Sequence, residues 1–306
     1  MPRLPNESID ARTLMRIRSL ELRAKGVVEG FLSGLHRSPY HGFSVEFTEY
    51  REYVPGDDPR FVDWRLVART DRYYVKRFED ETNLRCHLLV DTSRSMSFGT
   101  QGYSKADYAR TLAATLAYFL TLQRDAVGLA LFDAEVEEYL PARYRPGQMR
   151  RLMLALEQPS AGTATDLVRP LDQLAERLGK RGLLVLVSDL LAPIDQLQRQ
   201  LGYLRARGHE IAIFQTLDPA ELTLDFDEPA LFHDLESGQD IYVDPTETRA
   251  DYSARLEAHL AGIRHCCDSL GIDYRLTETS APLDRALGDF LQTRGRVATR
   301  RGRSRG

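Results

Sequence analysis

Residues 91–95 read Asp91-Thr92-Ser93-Arg94-Ser95 and follow directly on the apolar run Leu84–Val90. One carboxylate and two hydroxyls, spaced two residues apart on a tight turn, present hard oxygen atoms. That donor set suits a hard divalent cation such as Mg²⁺, with Mn²⁺ or Ca²⁺ as alternatives, better than zinc or copper. Two further stretches offer the same chemistry. The run Leu183–Ser188 ends in Asp189, and the loop Gly162-Thr163-Ala164-Thr165-Asp166-Leu167 carries a hydroxyl at Thr165, with Thr163 as the alternative. The expected chemistry is coordination, because none of these stretches positions a nucleophile or a general base. A plainer account has Asp91 and the serines capping the turn and helix that follow.

For such oxygens to converge, their segments must end at one edge of a sheet, and the order of apolar runs provides this. Strands are expected at Leu84–Val90, Ala126–Phe132, Gly182–Asp189, Glu210–Leu217 and Ile272–Thr277. Helical spacing marks Ala106–Gln123 (Tyr108, Leu112, Leu116 and Phe119 on one face), Gln148–Leu156, a helix from Asp166, Ile194–Arg207, Arg249–Leu270 and Leu283–Leu291. Strands alternating with helices imply an α/β fold: a mostly parallel sheet covered on both faces, with right-handed crossovers. Ligands bind such sheets at the carboxyl ends of the strands. Only Asp133, Ala134 and Glu135 separate Ala126–Phe132 from a strand-like run at Val136–Leu140, so this pair forms an antiparallel edge hairpin. Short strand-like pieces at Ala230–His233 and Ile241–Val243 follow an acidic loop, and Ile9–Leu35 reads as one helix.

The bulk numbers limit the function classes. The chain has 306 residues, 42% of them hydrophobic and 28% charged, enough for one large domain and a smaller appendage. Its net charge is −4, but Arg294, Arg296, Arg300, Arg301, Arg303 and Arg305 sit in the last stretch; with those six set apart the remainder carries −10. Overall basicity therefore gives no argument for nucleic acid, and only the Arg-rich tail leaves that alternative open. Cys86, Cys266 and Cys267 have no disulfide or metal-ligand pattern, and Cys86 and Cys267 read as small buried hydrophobes. No apolar run approaches the ~18 residues that span a bilayer, and the first residues lack a signal-peptide core, so a cytoplasmic protein with no membrane partner is expected. A metal-dependent hydrolase is the enzymatic alternative, since Asp91, Asp133 and Asp189 all follow strands. Against it, D-T-S-R-S-M lacks the second Asp of a D-x-D phosphotransfer motif, and no His is tied to the site.

The set D-x-S-x-S, then T-x-L in a Gly-containing loop, then a strand-terminal Asp resembles the metal-ion-dependent adhesion site of von Willebrand factor A domains. That resemblance implies metal contact from Asp91, Ser93, Ser95 and Thr165, with Asp189 acting directly or through water. A second resemblance is carried by Tyr53-Val54-Pro55-Gly56-Asp57-Asp58-Pro59-Arg60, then Val62-Asp63-Trp64-Arg65 and Lys76-Arg77-Phe78-Glu79. These strings are similar to the bacterial family catalogued as domain of unknown function fifty-eight, which joins such an aromatic, acidic segment to a von Willebrand A-like domain. The division then expected is 1–82 for the N-terminal helix and β-rich segment, 83–294 for the von Willebrand A-like domain, and 295–306 for a disordered tail. The resemblance implies a non-enzymatic, metal-dependent adaptor or co-chaperone, with a MoxR-type AAA+ ATPase and a client protein as partners.

Overall fold

The computed structural model describes residues 9–35, 47–52, 74–78, 84–159, 162, 167–179, 181–224, 226, 229–233 and 240–291. The chain divides into two units, one made of 1–34 with 84–306 and the other of 35–83. In the smaller unit, β1 (Phe47–Glu52) and β2 (Tyr74–Phe78) pair antiparallel from Phe47↔Phe78 to Glu52↔Tyr74, with an irregularity between Phe47 and Glu49. The motif 53–65 lies outside the described residues, as do Thr163, Thr165 and the Arg-rich tail.

The larger unit opens with α1 (Ala11–Met15) and α2 (Leu20–Leu35), where the sequence predicts one helix. The break has a local cause. Ser19 restarts the helix by accepting from Leu22 N at 3.3 Å, while Arg23 Nε donates to Ile17 O at 2.5 Å and holds the bend. Ile17 and Leu22 are exposed, and the buried face is Ala11, Leu14, Leu20, Ala24, Val27 and Val28. These residues join the core of the sheet unit.

That sheet alternates strand and helix as the sequence predicts. Along the chain come β3 (Arg85–Asp91), a 3₁₀ turn at Arg94–Ser97, α3 (Lys105–Leu122), β4 (Ala126–Phe132), β5 (Val136–Arg143), α4 (Gln148–Leu156) and α5 (Val168–Arg177). Then follow β6 (Leu183–Ser188), α6 (Ile194–Ala206), β7 (Glu210–Leu217), α7 (Pro219–Thr223), β8 (Ala230–His233), β9 (Asp240–Val243), α8 (Pro245–Leu270), β10 (Asp273–Glu278) and α9 (283–291). Six strands lie in the order β10-β7-β6-β3-β4-β5, and β8 pairs with β9 in a separate antiparallel ribbon. Every neighbouring pair in the six-stranded sheet is parallel except β4–β5, the antiparallel edge hairpin.

Both faces of the sheet are covered, which is why the central strands read as continuous apolar runs. On β3, Cys86, Leu88 and Val90 face a layer that includes Tyr108, Leu112, Leu116, Leu287 and Phe290. Leu89 faces the opposite layer, with Leu171, Leu174, Leu197, Leu201, Leu204 and Ile263. The register then brings β3, β6 and β7 to one carboxyl edge, with Val90 beside Val187 and Val187 beside Phe214.

Candidate metal centre

Asp91 is the last residue of β3 and is 1% exposed. Its Oδ1 accepts from Ser93 N at 2.9 Å, the i to i+2 bond of an Asx turn, and its Oδ2 accepts from Ser188 Oγ at 2.5 Å. The intervening residue points the other way. Thr92 N and Oγ1 both donate to Phe132 O, at 2.7 and 2.8 Å, and tie the turn to the end of β4. Met96, fully buried, anchors the far side, whereas Arg94 is exposed. The turn is thus fastened by Thr92 and Met96, which leaves Ser93 and Ser95 on a common side.

Ser93 Oγ and Ser95 Oγ stand 3.1 Å apart. Adjacent ligands of an octahedral ion with Mg–O bonds of about 2.1 Å are separated by about 3 Å, so the two hydroxyls already have the spacing of one octahedral edge. The donor set fits a hard ion on that ground. Among the described residues no cluster of three or more His, Cys, Asp or Glu could hold a metal.

Gly162 closes on the same turn. A Cβ built there would lie 2.7 Å from Thr92 O, 2.8 Å from Arg94 N and 2.9 Å from Ser93 C, all backbone atoms that cannot step aside. Only glycine permits this approach. The loop expected to supply Thr165 therefore starts in contact with the 92–94 backbone.

Asp189 is fully buried just beyond β6. Burial pushes the Asp91 carboxyl up to about 7, the negative charge of Asp189 adds to the rise, and the hydrogen bonds from Ser188 and Ser93 oppose it. Asp189 also has a partner that the sequence does not reveal. Lys105, the first residue of α3, is 0% exposed and places Nζ 2.8 Å from Asp189 Oδ2 and 2.5 Å from Glu221 Oε1. Burial alone would lower the Lys105 pKa, but Asp189 and Glu221 outweigh it and hold the value above that of an ordinary lysine. Burial raises the Glu221 carboxyl, against the pull of Lys105.

Local capping fixes both ends of this bridge. Ser104 and Asp107 form a capping box: Asp107 N donates to Ser104 Oγ at 3.1 Å, and Ser104 N to Asp107 Oδ2 at 3.0 Å. A second box starts α7, where Asp218 N donates to Glu221 Oε2 at 2.8 Å. Asp218 in turn accepts from Thr100 N at 2.9 Å and from Thr279 Oγ1 at 3.1 Å, joining the loop before α3 to the end of β10. Asp133 serves the β4–β5 turn, where its Oδ1 accepts from Glu135 N at 3.2 Å.

Of the predicted site residues, Asp91, Ser93, Ser95 and Asp189 thus lie at one carboxyl edge. Ser188, Lys105 and Glu221 carry parts in the arrangement that the sequence does not single out, and Gly162 enters the sequence reading only as part of the Thr165 loop. Ser188 had a legible signal, a hydroxyl at the end of a strand one residue before the acidic one. Lys105 and Glu221 had only their capping motifs, which mark helix starts and not each other.

The model of the family described as "Protein of unknown function DUF58" matches residues 49–262. An uncharacterized protein of Mycobacterium tuberculosis, Rv1480, is 32% identical over 259 residues, covering 83% of this chain and 81% of its own. Among solved structures, the conserved hypothetical protein BatB from Bacteroides thetaiotaomicron aligns at 14% identity and a TM-score of 0.46, over 70% of this chain and 99% of its own. The VWA domain of SpRpn10 aligns at 15% identity and a TM-score of 0.40, over 67% and 94%. Among the described residues no helix is long and apolar enough to cross a membrane.

Proposed function

Taking as premise that this chain belongs to the DUF58 family, with a von Willebrand A-like sheet, we propose that it is a protein-interaction module whose contacts run through a divalent cation. The observation that carries this reading is the pair of hydroxyls, Ser93 Oγ and Ser95 Oγ, held 3.1 Å apart beside the buried carboxylate of Asp91. Asp91, Ser93 and Ser95 would hold the ion, with Thr165 as a further donor and Asp189 close by. Bound there, the ion supplies Lewis acidity. The chain's own residues do the rest: Ser93 N and Ser188 Oγ orient the Asp91 carboxylate, Thr92 and Met96 fasten the turn, and Gly162 packs against the 92–94 backbone.

Mg²⁺ prefers six oxygen ligands, and one carboxylate plus neutral hydroxyls leaves the ion with positive charge and open positions. A carboxylate on a partner protein is the natural complement. The family resemblance supports a MoxR-type AAA+ ATPase as that partner, with this chain as adaptor or co-chaperone presenting clients to it. The test is co-purification of such an ATPase on the tagged chain in Mg²⁺, in chelator, and with Ser93→Ala/Ser95→Ala. ATPase recovered only by the wild type in Mg²⁺ supports the reading. Equal recovery under all three conditions places the contact elsewhere on the chain.

A further inference from the structure

Lysine is almost never fully buried unless it is paired, and at the first turn of a helix it ordinarily extends into solvent. Lys105 does the opposite, with no exposed surface and its ammonium between two carboxylates. Burying an ammonium is costly, and Asp189 and Glu221 offset that cost. The charges nearby do not cancel. Asp91, Asp189 and Glu221 are three potential negative charges, and Asp189 acts electrostatically on both of the others. Among the described residues, the ammonium of Lys105 is the cation paired with Asp189 and Glu221.

Position sharpens the point. The Lys105 ammonium takes one oxygen of Asp189, the second carboxylate expected at the ion, while Asp91 is held by the neutral donors of Ser93 and Ser188. Resting on the reading of Asp91, Ser93 and Ser95 as the ion's ligands, we propose that Lys105 is the specificity-determining residue of this centre. Its ammonium restrains Asp189 from direct coordination and lowers the negative charge at the site. The ion is then held loosely by Asp91 and the hydroxyls, and keeps the positive charge that recruits a carboxylate from outside. Glu221 has the converse part: by sharing the ammonium it moderates how strongly Lys105 repels the ion.

This assignment predicts changes of opposite sign at two residues in contact. Mn²⁺, as the probe, is titrated calorimetrically and by electron paramagnetic resonance at pH 8 into the full chain and into Lys105→Met, Glu221→Gln and the double variant. Removing a positive charge next to a divalent ion is expected to tighten Mn²⁺ binding by about ten-fold, and removing the Glu221 charge to weaken it by about three-fold. The double variant returns toward the wild type. Glutamate-containing peptide, added to the Mn²⁺-loaded proteins, binds more weakly to Lys105→Met than to the wild type.

A folded Lys105→Met protein that binds Mn²⁺ as weakly as the wild type, or more weakly, overturns the proposal and makes Lys105 a packing residue. If Lys105→Met does not fold, Glu221→Gln decides alone, and unchanged Mn²⁺ affinity in that variant overturns the proposal. A wild-type chain that takes up no Mn²⁺ at millimolar concentration overturns the underlying metal reading instead. The two failures are therefore distinguishable.

Discussion

At the scale of the residue, the Asp91 carboxyl is the group in the candidate site raised toward neutral pH. Its carboxyl is pushed up to about 7 by burial and by Asp189, so on the proposed reading a proton would compete with the divalent ion for it near neutral pH. An acid whose folded value lies above its unfolded value of about 3.8 adds stability below that unfolded value and loses it as pH rises through 7. Ionised Asp91 therefore weighs on the fold at alkaline pH, and the cation proposed for this site would relieve that burden. The Mg²⁺-induced rise in melting temperature is expected to be larger at pH 8 than at pH 6, and absent from Ser93→Ala/Ser95→Ala at both. Differential scanning fluorimetry across that range checks it; a Mg²⁺ effect that grows toward acid pH contradicts it. The D-x-S-x-S oxygens were legible in the sequence because a single turn brings residues at i, i+2 and i+4 together. Lys105 was not, because its partners lie 84 and 116 residues away, and nothing at the start of a helix announces that a lysine is buried.

At the scale of the element, the alternation of strand and helix was readable because parallel strands covered on both faces must be apolar throughout. The join between α1 and α2 was hidden, since it depends on a serine cap and an arginine clasp that read like any exposed polar residues. The Gly162 loop belongs to this scale as well. Replacing Gly162 with alanine sets a methyl group against Thr92 O and Arg94 N, so the loop must withdraw from the turn. The expected outcome is a loss of at least about ten-fold in Mn²⁺ affinity, with a change in unfolding free energy within the usual range of about 0.5–3 kcal/mol. Titration calorimetry with parallel urea melts separates the two, and unchanged Mn²⁺ affinity would remove the loop from the site. Leu112→Ala in α3 gives the contrasting case. Its fully buried side chain predicts a loss of about 2–5 kcal/mol in urea unfolding, and a smaller loss would mean that the neighbouring helices close the gap.

At the scale of the whole molecule, the sheet carries an acid-sensitive residue far from the carboxyl edge. His87 lies inside β3, stacked on Tyr139 of β5 at 6.2 Å between ring centroids, with Gly128 of β4 beside it in register. A Cβ at Gly128 would stand 2.6 Å from Ala142 N and 2.7 Å from Leu140 O, backbone atoms of β5, and 2.9 Å from His87 Nδ1, which explains a glycine within a central strand. Burial, with smaller contributions from His209 and Arg85, lowers the His87 pKa from about 6.5 to about 4. A depressed folded value means the stabilisation is complete above 6.5 and is lost as pH falls through 4. The gap corresponds to roughly 3 kcal/mol. His87→Leu is therefore expected to flatten the fall in stability between pH 6.5 and 4, measured by urea unfolding, whatever it costs at neutral pH. An equally steep fall in the variant would assign acid sensitivity to other groups.

The core around α3 also has a bearing on how the polypeptide is made. Leu14, Leu20, Val27 and Val28 share a cluster with Leu283, Leu287 and Phe290, which leave the ribosome only after the whole sheet has been synthesised. Gly288 sits close enough to Phe31 for an added methyl to touch its ring at 3.5 Å. Helices α1 and α2 can therefore meet α3 early in translation but their α9 neighbours only near its end. The part of their apolar faces that α9 covers is closed last, after the intervening sheet has been made.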